Sequence, residues 1–353
     1  MTTGDGAPPR SVTARRTPAS RVTLMLVGLV ILLGACGTVG SPLPEQARAL
    51  PAAGAAPAAG TTPGPTAPGR TAPAPGGGTP PAAGDCGDPT ASLRPPAELP
   101  SPGAMPAGSH LETIARRGYL TAGVLADVPP FGYIDPFDGE FAGFDVDVAR
   151  LIGRAIFGAD GHVRFRAVTY PERIPVLRDG TVDVVVATMT TNCERRAQVD
   201  FSAVYYEEAN RVLVPTDSPY QGMADLGGRR VCTAAGTTTL DHLRNADPRP
   251  VAVAAPTIGD CLVELQAGGV DAITTTEAIL AGMVAQDPRV HIVGPRLTPE
   301  PDAVGVSLNH PDLTRFVNGV LARAIADGSW TRLARTWLPG LTPTPPTAVY
   351  RDE

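Results

Sequence analysis

The chain is poor in the signatures of chemistry. Its five histidines, His110, His162, His242, His291 and His310, are scattered without metal-ligand spacing. It has no Gly-x-Ser-x-Gly elbow, no phosphate-cradling glycine loop and no dinucleotide fingerprint, so the common motif-borne routes to hydrolysis, phosphoryl transfer and hydride transfer are missing. None of its five cysteines stands in a Cys-x-x-Cys pair, which argues against a zinc ribbon and a redox dithiol. Basic excess is absent too. Lys and Arg total 29 against 35 Asp and Glu, a net charge of -6, which disfavours nucleic acid. No block of like charges suits a polyanion. Neither a cofactor nor a metal is expected.

What the chain does have divides it in two. Its 39 prolines and 39 glycines crowd before residue 108, and ordinary globular patterning follows. At the start, Arg10, Arg15, Arg16 and Arg21 precede an apolar run, Val22 to Leu33, too short to span a bilayer comfortably. The run ends in Leu33-Gly34-Ala35-Cys36, a small-residue cleavage pattern with a cysteine in the lipid-accepting place. Residues 1–35 are therefore predicted to be a lipoprotein signal peptide and Cys36 the lipidated residue. A plain transmembrane anchor is the alternative. Residues 36–108 read as a tether, nearly all Ala, Pro, Gly and Thr up to about 84, because such a composition buries too little apolar surface to offset chain entropy. The mature chain is expected outside the cytoplasm, held by lipid to the outer face of the cell membrane. In that oxidising setting Cys86, Cys193, Cys232 and Cys261 predict two disulfides, with three pairings open.

The body begins near His110. Leu111 to Arg117 predicts a short helix and Tyr119 to Leu125 a strand; Phe144, Val148, Leu151, Ile152 and Ala155 predict a second helix. Val182 to Ala187 is a continuous apolar run of the kind buried on both faces of a parallel sheet. An internal echo carries the architecture. Leu177, Gly180, Val182 and Asp183 recur at a constant offset as Leu265, Gly268, Val270 and Asp271, each set a helix, a glycine stop and a buried strand. Four matches in register predict two similar α/β lobes. Ligand crevices in open parallel sheets lie at the carboxyl ends of strands. Those ends, Ala187 to Thr190 and Thr274 to Glu277, are rich in hydroxyls and suit a small polar ligand.

Several stretches carry a resemblance: Gly143-Phe144-Asp145-Val146-Asp147, Arg173 to Leu177, Thr188 to Arg195, Val199 to Ser202, Gly236 to Thr239 and Gly269 to Ala272. Over roughly residues 109 to 338 the chain resembles the family 3 bacterial extracellular solute-binding proteins, amino-acid receptors of ABC importers. It looks most like actinobacterial glutamine- and glutamate-binding lipoproteins. The resemblance implies a two-lobed periplasmic-binding-protein-like fold of type II, with parallel-type sheets in each lobe and an interlobe cleft. Lobe 1 would comprise 109–213 and the return 306–338, and lobe 2 214–305, with 339–353 as a tail. It also implies the pairings Cys232 with Cys261 and Cys86 with Cys193, since a bridge between lobes would block closure.

Site residues follow from the same resemblance. Arg195 would grip the ligand's α-carboxylate through its planar fork, helped by Thr188 and Thr190. Arg173 would face a side-chain carboxylate. Tyr170, and less directly Phe131 and Tyr133, would form an aromatic wall. Thr237 and Thr238 would offer unpaired helix-start amides, or only cap the helix. The departure is at Thr276, where the family usually has an aspartate for the ligand's ammonium; the lost charge-assisted bond would cost roughly 1.5–3 kcal/mol. Glu277 is the expected substitute. Ala234 and Ala235 stand where many relatives carry longer polar side chains. The sequence thus predicts a monomeric, non-enzymatic receptor for glutamate first, then aspartate or glutamine, serving an ABC permease. Signalling through a membrane sensor is the alternative, and an enzyme using Glu277 the remote one.

Overall fold

The computed structural model describes residues 86–341 and 343–351. The export segment, Cys36 and most of the tether lie outside the described residues. No described helix is long and apolar enough to cross a membrane.

The first helix, His110–Arg117, starts where the Ser109 hydroxyl accepts the Glu112 N–H at 3.1 Å, and stops at left-handed Gly118. The following strand is Leu120–Val124, one residue shorter at each end than the pattern suggested. Helix Phe144–Phe157 buries Phe144, Val148 and Ile152 completely, the face read from spacing.

Nine strands among the described residues form one sheet. Its path runs Val251–Ala255, Arg230–Ala234, Ala272–Thr276, Asp200–Pro215, Pro299–Val306, Val184–Val185, Leu120–Val124 and Val163–Ala167, with Val290–Val293 also on Asp200–Pro215. The outer pairs at both ends are parallel. The two central strands are not. Asp200–Pro215, 16 residues long, runs antiparallel to every neighbour. Its first part, to Ala209, pairs with Pro299–Val306; from Asn210 on it pairs with Ala272–Thr276 and Val290–Val293. Two strands therefore link two α/β halves, and the sheet is mixed rather than wholly parallel.

The run Val182 to Ala187 is fully buried, but only Val184–Val185 are ladder residues. Flanking bonds, Asp183 N–H to Thr121 O and Val186 N–H to Gly123 O, extend the parallel pairing before the chain turns away at Thr188. Phe131, expected in the ligand wall, is wholly buried, with edge contacts to Phe144 and Tyr206. Apolar packing claims it for the core. Tyr133 sits edge-on to Trp337.

Both disulfides form as the resemblance implied, Cys86–Cys193 and Cys232–Cys261. The first fastens Cys86, at the start of the described residues, to the first half. Ser92–Leu93 continues the attachment by pairing in parallel with Tyr350–Arg351, and the Ser92 hydroxyl donates to Phe201 O at 2.6 Å.

Candidate functional site

The two hydroxyl-rich strand ends meet, and the first is held by strain. Thr188 has φ 41°, a left-handed conformation rare for a β-branched residue and typical of functional sites. Two buried side chains hold it there. Asp145 Oδ2 accepts the Thr188 N–H at 2.9 Å, while its Oδ1 accepts the Tyr205 hydroxyl at 2.7 Å. Arg173 Nη1 donates to Ala187 O at 3.0 Å and Thr188 O at 2.9 Å. Burial pushes Asp145 up to about 6, against those two bonds.

Arg173 is 2% exposed, and four of its five N–H groups are committed to carbonyls, the others being Tyr170 O at 3.1 Å and Gly236 O at 3.2 Å. Its guanidinium lies 4.8 Å over the Tyr170 ring. Burial, with Arg195 nearby, lowers its pKa to about 9. Arg173 borders the cleft as expected of a site residue, but nearly all its donors fasten the cleft's own backbone.

Tyr170, Arg173, Thr188, Thr190, Thr237, Thr238 and Thr276 line one small cavity, joined by Thr239, Thr275, Ile279 and Glu300. Its volume is about 20 Å³, near the space of one water molecule. That space by itself is too small for an amino acid. Arg195 lines an adjoining cavity of about 230 Å³ with Tyr170, Arg173 and Thr238, and donates to Thr190 O at 2.7 Å. The Thr237 hydroxyl caps its helix, accepting the Leu240 N–H at 3.2 Å and donating to Ala234 O at 2.7 Å. Glu277 does not reach the small cavity. It is ion-paired to Arg296 at 2.6 Å beside a larger cavity of about 1030 Å³. A bonded cation holds it away from the role expected of it.

The linking strands supply groups that the sequence reading missed. Glu300, 1% exposed, accepts from the Thr190 hydroxyl at 2.6 Å, the Thr238 hydroxyl at 2.7 Å and Asn210 Nδ2 at 2.6 Å, with His242 Nδ1 at 3.3 Å. It thus ties the first strand end to helix Thr238–Arg244 of the second half. Although burial opposes ionisation, these bonds hold its carboxyl below the ordinary value. Glu208 and Asp302 are equally buried. Burial pushes Glu208 up to about 8 and Asp302 well above its usual range, each raised further by carboxyl neighbours. The signal was present in Glu207-Glu208 and in Glu300-Pro301-Asp302: charges inside otherwise apolar, aromatic strands.

The chain matches bacterial extracellular solute-binding proteins, family 3, over residues 120–340. It belongs to that family. Among relatives it is 32% identical over 229 residues to the glutamine-binding protein GlnH of Bacillus subtilis, covering 65% of this chain and 84% of that one. To the glutamate-binding protein GluB of Corynebacterium efficiens it is 29% identical, covering 64% and 80%. An ancestral arginine-binding protein bound to arginine superposes with a TM-score of 0.59 at 31% identity, covering 63% of this chain and 99% of the other. The arginine-binding protein of T. maritima, as its P235GK mutant, gives 0.60 at 30% identity, covering 64% and 98%. The fold is thus the two-lobed, type II periplasmic-binding-protein architecture, and this family works outside the cytoplasm with ABC permeases.

Proposed function

We propose that this family member captures a polar amino acid between its lobes and delivers it to an ABC importer, anchored to the outer face of the cell membrane by lipid on Cys36. The observation that carries the reading is the convergence of Thr188, Thr190, Thr238 and Thr276 on one cavity between strand ends from both halves. A ligand touching both edges favours the closed arrangement, and the permease senses that closure. Such closure bends the two linking strands, the first of which changes partners between Ala209 and Asn210.

Arg195 is the partner for the α-carboxylate, with Thr188, Thr190, Thr237 and Thr238 around it. The sequence put glutamate first, then aspartate or glutamine. The buried carboxyls of Glu208, Glu300 and Asp302, and the committed donors of Arg173, favour an amide side chain over an acidic one. Relatives named for glutamine, glutamate and arginine support the class. Sensing through a membrane partner would use the same cleft. The enzymatic alternative loses support, because Glu277 is bound to Arg296.

Thermal-shift screening of the body from Cys86 onward tests the reading. A ligand at a hundredfold over its Kd adds about 2.7 kcal/mol, a clear rise in Tm. No rise with any amino acid would reject the receptor. Loss of labelled uptake in a deletion strain favours transport over sensing.

A further inference from the structure

Thr276 leaves the second strand end without the carboxylate that would face an ammonium group. A carboxyl stands beside it on another strand. Glu208, in Asp200–Pro215, places Oε2 3.3 Å from the N–H of Ala278, two residues beyond Thr276. The Thr276 hydroxyl lies near enough to favour its charged form, yet makes no well-formed hydrogen bond. Glu208 Oε1, Thr276 Oγ1, Thr188 Oγ1 and Asp302 Oδ2 are all buried and unpaired. Their residues are 2%, 7%, 7% and 1% exposed. Buried polar atoms are seldom left so. Thr276 and Asp302 lie beside Glu208, and Thr188 shares the small cavity with Thr276, so the unsatisfied atoms point to a missing donor between Glu208 and that cavity.

The other carboxyls nearby are spoken for. Glu300 takes four donors, Asp145 takes Thr188 N–H and the Tyr205 hydroxyl, and Glu277 takes Arg296. Among the described residues no group of three or more His, Cys, Asp or Glu is disposed to hold a metal ion. The vacant acceptors therefore suit a compact organic donor with several N–H groups.

We propose that Glu208, backed by Asp302, supplies the counter-charge for the solute's ammonium group in place of the carboxylate absent at position 276. This rests on the amino-acid receptor reading and narrows it to solutes bearing a free amine. An ammonium brings three N–H donors, enough for Glu208 Oε1 and the two threonine hydroxyls. Raised by burial to about 8, Glu208 also gives up a proton as the amine arrives.

Calorimetry with L-glutamine, L-arginine and glutaramate, which is glutamine without its α-amine, tests this. Wild type should bind at least one of the amino acids and prefer glutamine over glutaramate. Glu208→Gln should weaken the bound amino acid by roughly ten- to a hundredfold, leave glutaramate unchanged, and abolish the proton release seen on comparing buffers of different ionisation enthalpy. The pair Glu208→Ala with Thr276→Asp should recover most of the loss. Asp302→Asn, a check should Glu208→Gln fold poorly, should weaken binding in the same direction. Unchanged affinity in Glu208→Gln, or equal losses for glutamine and glutaramate, would overturn the assignment and leave the receptor intact. Wild type binding none of the amino acids would overturn both.

Discussion

The helix–glycine–strand units around Gly180 and Gly268 are the same device built twice. Both glycines have φ 72°, a conformation that costs glycine little. Val182 and Val270 are 3% and 4% exposed. Asp183 accepts the Thr121 N–H at 2.7 Å and Asp271 the Arg230 N–H at 2.8 Å, each staple joining the unit to the neighbouring strand. Each also meets an arginine, Arg117 or Arg230. The units part company beyond their strands. After the first, Arg173 and Asp145 hold Thr188 in a strained turn. After the second, Thr276 runs straight into helix Glu277–Gln286, with the carboxyl of Glu208 beside it on a linking strand. The repeat sets the frame, and the two units differ where their strands end.

The largest expected effect breaks the first edge. Arg173→Ala strands buried carbonyls and should cost about 3–5 kcal/mol of stability by urea denaturation. Arg195→Ala, with a half-buried side chain, should cost about 1 kcal/mol or less while weakening ligand binding. A small loss from Arg173→Ala would mean that its bonds to Ala187, Thr188 and Gly236 do not hold the edge.

Next is the better-buried staple. Asp183 is 5% exposed and is bonded to His110 Nε2 at 3.0 Å as well as to Arg117 and the Thr121 amide. These bonds outweigh burial and lower its pKa. Asp183→Ala should cost roughly 2–3 kcal/mol at neutral pH, since charged hydrogen bonds are lost and donors are left buried. The deficit should vanish only below about pH 4, where the wild-type carboxyl also protonates.

Much of this frame was legible. The glycine stops, the buried valines and the repeated aspartates follow from local chain geometry, and local geometry is written in short patterns. The threonines of the cleft were legible too, because strand ends point them into one place. The bonds of Arg173 were not legible, because a motif shows that an arginine is present, not whether carbonyls occupy its donors. Glu208, Glu300 and Asp302 were overlooked for another reason. They gain meaning only when two strands far apart in sequence pair, Glu208 opposite Glu300 in the ladder. Phe131 failed by simple packing, as an aromatic before a helix commonly does.

The carboxyls on the linking strands predict an unusual pH response. Glu208 faces Thr276 and the Ala278 amide, with Glu277 on the same helix and Asp302 on the partner strand. Its pKa is about 8 when folded against 4.5 as the reference, and that of Asp145 is about 6 against 3.8. Between these values the unfolded chain holds fewer protons, so stability must fall as pH rises from about 5 to 8. At about 1.4 kcal/mol per proton and pH unit, the two groups together should take about 5 kcal/mol from stability across that window. His242, raised by Glu300 despite burial, pushes the same way, and His310, lowered by burial, opposes. Glu208→Gln should flatten the decline in Tm. An equally steep decline in the variant would place the titration elsewhere.

The smallest effect is the sharpest test of the comparison. Asp271 does the same work as Asp183, but its side chain is 26% exposed and its arginine bond is long, 3.5 Å. Water can replace much of what it offers the Arg230 amide, so Asp271→Ala should cost only about 0.5–1 kcal/mol. Burial, rather than the role in the repeat, then sets the worth of each staple. Equal losses at Asp183 and Asp271 would show instead that the strand-joining bond itself carries the energy, and that His110 and the deeper setting of Asp183 add nothing.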